Sequence, residues 1–366
     1  MPAQSFARRL PIKRLLLDAT HPLSDPIAWD RVLQRINPAW STSRIRARVV
    51  SRVEESADTF SLWLKTNRHW PGHQAGQHLA LGVEIGGVMR RRVFSISTKA
   101  DRAGKGVRRL RVTIQRQSDS GVTAWLHANA RPGLAIELGA ANGQFVLPEP
   151  RPQPLLMIAG GSGITPMMAM LQQLAEDRHD GDIVLLQLYR SLDQRLFARE
   201  LDNLARRLPG LSIKRHDSAS RGRLDSSRLP DLVPDLAERQ TLLCGPASLI
   251  ADVTATWEAL KLTDKLQLER FAAPRPAKRP GDQPQVHAKH SEQVFTQTSG
   301  LNLLEAAEAA GLKPRHGCRA GLCRSCLCQK HSGTARNLLT GLSSSQPDEW
   351  IQLCVSVAET ELELAL

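Results

Sequence analysis

The strongest constraint on this chain lies near its end, in Cys318-Arg-Ala-Gly-Leu-Cys323-Arg-Ser-Cys326, followed at a distance by Cys354. A C-x4-C-x2-C run with a remote fourth cysteine is the spacing by which four thiolates hold a [2Fe–2S] cluster. Such a loop has to be tight, because three sulfurs converge on two irons while backbone N–H groups point at them. Gly317, Ala320, Gly321 and Ser325 provide the small residues, and glycine takes φ > 0 at no steric cost where the loop reverses. A late strand is expected to supply Cys354. The alternative, a structural zinc site, would show paired C-x2-C knuckles or histidines at short spacing, and His316 and His331 complete no second knuckle. Cys328 shares a strand face with Cys326 by period two and reads as a buried bystander.

From about 284 to the end the chain resembles a plant-type ferredoxin domain, an α+β (β-grasp) fold, and 285–366 is assigned to it. The remaining length allows two further domains. A formal net charge of +13 invites an anionic partner, but its distribution decides which. Residues 276–366 hold nine basic and nine acidic side chains, whereas residues 1–44 hold seven and three. A nucleic-acid binder would gather its charge in one stripe with aromatics interleaved. This chain has one tyrosine and seven phenylalanines, and its cations are spread through it. A nucleotide cofactor and acidic partners account for the charge better. Arg8, Arg9, Lys13 and Arg14 precede only a short Leu15–Leu17 run, too short for a secretory leader. Residues 152–175 carry no charge, yet Gly160, Gly161, Gly163 and Pro166 interrupt them, and a span needs about 20 continuous apolar residues. A soluble cytoplasmic protein is expected, with a peripheral position at a membrane left open and no disulfides.

Taken in order, residues 1–44 form a basic, proline-punctuated extension. Trp29, Val32, Leu33 and Ile36 have helical spacing, and the short helix is expected to pack on the main body rather than to anchor in a membrane. Short alternating strands with glycine turns then predict an antiparallel β-barrel over 45–150. Within it, Arg92-Val93-Phe94-Ser95 ends one strand and Gly121-Val122-Thr123 opens a helix. A helix start preceded by glycine presents free N–H groups to a phosphate, arginine adds a bidentate charge partner, and an aromatic can lie along a flat ring.

Past the proline-rich connector 148–154, strands and helices alternate over 151–273. That pattern predicts a parallel, doubly wound α/β sheet. Its first turn is Gly160-Gly161-Ser162-Gly163-Ile164-Thr165-Pro166, and Cys244-Gly245-Pro246 ends a later strand. Glycines there let backbone approach a pyrophosphate at a helix N-terminus. Arg190, with Arg195 near it, could take a 2′-phosphate, which favours NADPH; Asp193 weighs toward NADH. Residues 274–284 read as a polar, proline-rich linker.

In this order the motifs resemble the ferredoxin–NADP reductase superfamily of flavoproteins. The resemblance implies FAD, with Arg92 at its phosphate, Val93, Phe94 and Ser95 along the isoalloxazine, Thr113 on the next contacting strand, and Gly121–Thr123 at the pyrophosphate. It places Thr165 and Cys244 beside the nicotinamide, and Glu269 and Phe271 beside both rings. Ser95, Thr165, Cys244 and Glu269 are therefore the catalytic candidates. The implied path is NADPH to FAD to [2Fe–2S] to an external acceptor protein, since a flavin splits the hydride pair that a one-electron cluster cannot accept whole. By the same likeness the acceptor is a membrane-bound fatty acyl desaturase. A soluble ring-hydroxylating or diiron oxygenase is the alternative, and a cluster-based redox sensor without turnover is a third reading. Arg315, Arg319, Arg324 and Lys330 around the cluster suggest that the acceptor presents an acidic docking face.

Overall fold

In the computed structural model, residues 26–102, 109–117, 121–151, 153–271, 275–276 and 283–366 are described. The first 25 residues and most of the 274–284 linker lie outside them.

Helix α1 (Pro26–Ile36) leads into β1 (Arg46–Glu54). Seven more strands follow: β2 (Thr59–Thr66), β3 (Gly72–His73), β4 (His78–Ile85), β5 (Val88–Ser95), β6 (Asp101–Arg102), β7 (Arg109–Gln115) and β8 (Ala135–Leu138). Six of the eight form one antiparallel sheet in the order β5-β4-β8-β1-β2-β7. A bridge between Ile96 and Val112 joins its two edges, so the sheet closes into a barrel. Alternation fills the interior with Leu62, Leu64, Leu79, Leu81, Leu110, Val112 and Ile114. Helix α2 (Gly121–Asn129) covers one end through the wholly buried Leu126.

The second sheet is parallel, β9 (Leu155–Gly160), β10 (Ile183–Tyr189), β11 (Leu211–Asp217), β12 (Gln240–Gly245) and β13 (Leu266–Arg270), in the order β11-β10-β9-β12-β13. Its central strands β9, β10 and β12 are buried on both faces and read as near-continuous apolar runs. Helices α3 (Ile164–Glu176) and α4 (Ala198–Arg207) cover one face, and α5 (Ala247–Ala259) with Trp257 covers the other. Phe197 sits in the left-handed region (φ 57°) at the start of α4. Arg111 of β7 locks the two domains together. Its buried guanidinium meets Glu200 of α4 at 2.5 Å and lies 4.5 Å over the Phe197 ring.

The third unit wraps a mixed sheet around α6 (Leu303–Ala309), whose Asn302 and Glu305 form a reciprocal capping box. Its strands are β14 (Gln285–Ala288), β15 (Gln293–Thr296), β16 (Leu327–Ser332), β17 (Ala335–Asn337), β18 (Ser343–Ser344), β19 (Glu349–Gln352), β20 (Ser356–Ala358) and β21 (Leu362–Leu364). The main sheet runs β15-β14-β21-β16-β19 with β14 and β21 parallel. Among the described residues no helix is long and apolar enough to cross a membrane.

Two expectations are corrected. Helix α1 does dock, through the buried Asp30, which accepts hydrogen bonds from Ser41 Oγ at 2.7 Å and Thr42 N at 2.6 Å. Val32 and Ile36 of its apolar ridge are exposed; a polar bond rather than the apolar stripe fixes the helix. Lys330 is not a surface cation. It is fully buried, donating to Gly333 O at 2.8 Å and Gln346 O at 2.7 Å.

Candidate functional site

The cluster loop follows α6 directly. Its four cysteines form two pairs. Cys318 N–H donates to Cys323 Sγ at 3.1 Å and Cys323 N–H to Cys318 Sγ at 3.3 Å, while the Cys326 and Cys354 sulfurs lie 3.3 Å apart. Further N–H groups, from Ala320 and Leu322, point at Cys318 Sγ. Cys354 comes not from a strand but from the tight turn Leu353–Val355 between β19 and β20. Hydrogen bonding within each pair pushes one thiol down, Cys323 to about 4 and Cys326 to about 7, and its partner up. Each pair thus offers a thiolate, the form that binds metal.

A dinuclear centre takes two thiolates per iron, so this donor set fits a [2Fe–2S] cluster. The loop is built around the sulfurs at some conformational cost. Arg319 and Arg324 sit at φ 57° and 55°, each costing roughly 1–2 kcal/mol. A Cβ on Gly317 would stand 2.7 Å from Cys323 Sγ. Cys328 is buried in the core beside them, its thiol pushed up to about 11 by burial.

The barrel places its motif on β5, where Ser95 pairs with His78, Phe94 with Leu79 and Arg92 with Leu81 of β4. A cavity beyond β5 is walled by Phe94, Ser95, Thr165, Glu269, Phe271, Cys318, Ala320 and Leu322, so all three units meet there. Two of its polar atoms are buried without a partner, Ser95 Oγ and Glu269 Oε2. Glu269 Oε1 lies 3.0 Å from His78 Nδ1, and both side chains are buried. Buried polar atoms usually find a partner, and these two belong to residues that line the cavity. A flavin therefore fits, with Phe94 and Phe271 to lie against it and Ser95 and Glu269 to meet its edge. Arg92 donates to Gln117 and lies beside Cys318. Val93 and Thr123 line the cavity as well, whereas Gly121 (φ 84°) and Val122 open α2 outside its lining. Thr113 lines it too, but its hydroxyl is engaged by Ser61 at 2.9 Å and Ser97 at 3.0 Å.

At the carboxyl ends of β9 and β12, where strand order reverses, an adjoining cleft of about 1010 Å³ opens. This is where open α/β sheets take nucleotides. Gly160, Gly161, Ser162, Gly245 and Pro246 line it. Gly163 is required by contact rather than conformation, since a Cβ there would stand 2.1 Å from Cys244 O. Thr165 donates to Ser162 O at 2.8 Å, and Pro166 continues α3 in the core.

Cys244 departs from expectation. It is fully buried in the nucleotide-domain core, where burial raises its thiol, and it lines neither cavity nor cleft. Arg190 lines the far wall with Ser218 and Arg223, whereas Arg195 and Asp193 do not. Sequence reasoning missed Ser218, Arg223 and His78. None belongs to a motif, and His78 is found only by pairing its strand with the one ending at Ser95.

Comparison with known proteins agrees with this construction. Residues 157–255 match the family described as oxidoreductase NAD-binding domain, and residues 286–359 match the 2Fe-2S iron-sulfur cluster binding domain. The chain belongs to the ferredoxin–NADP reductase family, in the form that carries a C-terminal [2Fe–2S] ferredoxin domain. An NADPH oxidoreductase of Mycobacterium tuberculosis is 32% identical over 343 residues, 93% of this chain and 90% of the relative. The glycine betaine monooxygenase reductase subunit of Pseudomonas aeruginosa is 26% identical, covering 80% and 87%. Phthalate dioxygenase reductase shares the fold, with a TM-score of 0.58 at 23% identity over 88% of this chain and 97% of that one. The protein is an oxidoreductase that moves electrons from a pyridine nucleotide by way of flavin to a [2Fe–2S] centre.

Proposed function

We propose that the chain is the NADPH-dependent, FAD-containing reductase of a membrane-bound fatty acyl desaturase. The observation that carries the electron-transfer reading is the single cavity walled by Phe94 and Ser95, by Thr165 and Glu269, and by Cys318 and Leu322. When bound, the flavin supplies the two-to-one electron conversion and the cluster supplies single-electron delivery. The protein's own groups do the rest. Phe94 and Phe271 hold and cover the ring, Ser95 and Glu269 meet its polar edge, and His78 fixes the Glu269 carboxylate.

NADPH is supported by Arg190, Arg223 and Ser218 on one cleft wall from which Asp193 is absent. FAD is supported by the resemblance and by a cleft that continues past Arg92 to Asp58 and Thr59. Desaturase service rests on sequence likeness. Service to a soluble oxygenase is the second reading, favoured by the relative that is a monooxygenase reductase subunit. With Lys330 buried and Arg319 paired to Glu308 at 2.8 Å, Arg315 and Arg324 remain as the exposed cations for an acidic acceptor face.

Anaerobic NADPH should bleach both flavin and cluster absorbance of the purified protein. The reduced protein should then support desaturation of an acyl-CoA by a reconstituted membrane desaturase. Bleaching of the flavin alone would sink the electron path, and turnover only with a soluble oxygenase would replace the desaturase. An acceptor rate that rises with added salt would remove the acidic docking face.

A further inference from the structure

Helix α1 carries large apolar side chains with much of their surface exposed. Trp29 is 45% exposed, Val32 50% and Ile36 70%, on one helical face, and Trp40, four residues past the helix, is 46% exposed. Apolar surface gathered in this way marks an interaction site, unlike apolar residues scattered singly. A second feature lies beside it. Arg48, Lys65 and Arg109 are cross-strand partners on β1, β2 and β7, and all three are exposed. No carboxylate among the described residues forms an ion pair with any of them. Like charges set directly opposite on adjacent strands destabilise a sheet, so an unneutralised row of three is costly unless something anionic covers it.

The two features are continuous. Arg46 Nε donates to Pro38 O at 2.8 Å and Asn67 Nδ2 to Ala39 O at 3.3 Å, so the segment leaving α1 lies against residues 46 and 67. Arg48 is two residues past Arg46 on β1, on the same side by period two and about 7 Å away, and Lys65 of β2 is its cross-strand partner. We propose that α1 and the Arg48–Lys65–Arg109 row together seat this protein on the surface of an anionic lipid bilayer.

Lipid is the occupant that fits both halves. A short amphipathic helix lies in the interface plane with its apolar face in the acyl boundary. Tryptophans, here the exposed Trp29 and Trp40, belong at headgroup level. Cations beside such a helix meet anionic headgroups, at roughly fivefold in affinity each. The inference deepens the reading of a membrane-bound acceptor, because it gives the reductase its own hold on the bilayer.

Flotation of the full-length holoprotein with vesicles tests it. With phosphatidylcholine and phosphatidylglycerol in equal parts the protein should float, and with phosphatidylcholine alone at least tenfold less should do so. Val32→Asp with Ile36→Asp should lower the bound fraction at least tenfold. Arg48→Ser with Lys65→Ser should lower affinity about 25-fold, from roughly fivefold per cation. NADPH–ferricyanide turnover should be unchanged in both variants. The proposal is overturned if the wild type stays in solution or if both variants float like it. It is also overturned if the protein floats only after residues 1–25 are removed, which would make that segment the occupant of the ridge. A protein that does not float yet reduces a desaturase loses this proposal and keeps the acceptor reading. One that floats and reduces no desaturase does the reverse.

Discussion

Lys330→Met tests how the two halves of the cluster site are held together. The ammonium of Lys330 donates to Gly333 O at 2.8 Å, Gln346 O at 2.7 Å and Ser344 O at 3.3 Å. It also lies 3.0 Å from Glu349 Oε1, an ion pair aligned too poorly to be a hydrogen bond. Methionine fills the volume of the stem and leaves three carbonyls and one carboxylate without their cation. Removing one member of a buried pair costs about 3–5 kcal/mol. Glu349 keeps some access to water, which argues for the lower end, while each deserted buried carbonyl adds about 1–3 kcal/mol, not additively.

A net loss of about 4 kcal/mol should lower the melting temperature of an 84-residue unit (283–366) by about 15–30 °C. Visible circular dichroism of the cluster and fluorescence of released flavin should therefore separate on heating, with the cluster lost first and the barrel melting as before. Glu349→Gln added to Lys330→Met should recover part of the loss. Cluster melting within a few degrees of wild type would refute the claim that Lys330 braces Cys326, four residues upstream on the way into β16, against the segment leading to Cys354.

Arg190→Ala and Arg223→Ala should each lower kcat/KM for NADPH about 10- to 100-fold, as expected for a lost charged hydrogen bond, and leave NADH unchanged. Equal effects on both nucleotides would place the 2′-phosphate elsewhere. In Gly163→Ala, the new Cβ 2.1 Å from Cys244 O forces the first turn away from β12. A displacement of about 1 Å should cost about 100-fold in kcat/KM with flavin content intact, and normal kinetics would show that the turn yields. Burial raises the Asp30 carboxyl, but hydrogen bonds from Thr42 and Ser41 outweigh it and hold the group below its ordinary value. Its contribution is therefore full at neutral pH and is lost as pH falls through that lowered value. Asp30→Ala should speed proteolysis of α1 at pH 7, and the difference from wild type should vanish in acid.

Much of the site was legible because its chemistry dictates spacing. The cysteine run, the Arg92–Ser95 strand end and the Gly160–Gly163 turn each satisfy a local geometric demand that leaves a mark in sequence. Lys330 shows a rule applied halfway. The period of two that turned Cys328 inward turns Lys330 inward as well, but a lysine was assumed to seek water. Only the loop that folds back to offer Gly333 and Gln346 makes burial tolerable, and no local pattern records it. Arg111 was hidden for a related reason. It sits on the outer face of β7 opposite Leu110 and Val112, and only docking against Glu200 and Phe197 buries it. His78 and Glu269 are 191 residues apart and meet only when barrel and parallel sheet come together.

The shared wall formed by Cys318, Ala320 and Leu322 also changes the order of the reaction. A separate ferredoxin must find its reductase by diffusion, so its reduction slows in proportion to dilution. Here the two partners sit on one polypeptide, and tethered partners meet at effective concentrations on the order of millimolar. Electrons should reach the cluster at the same rate whether a cell holds few copies or many. Dilution then bears only on the last encounter, the one with the acceptor.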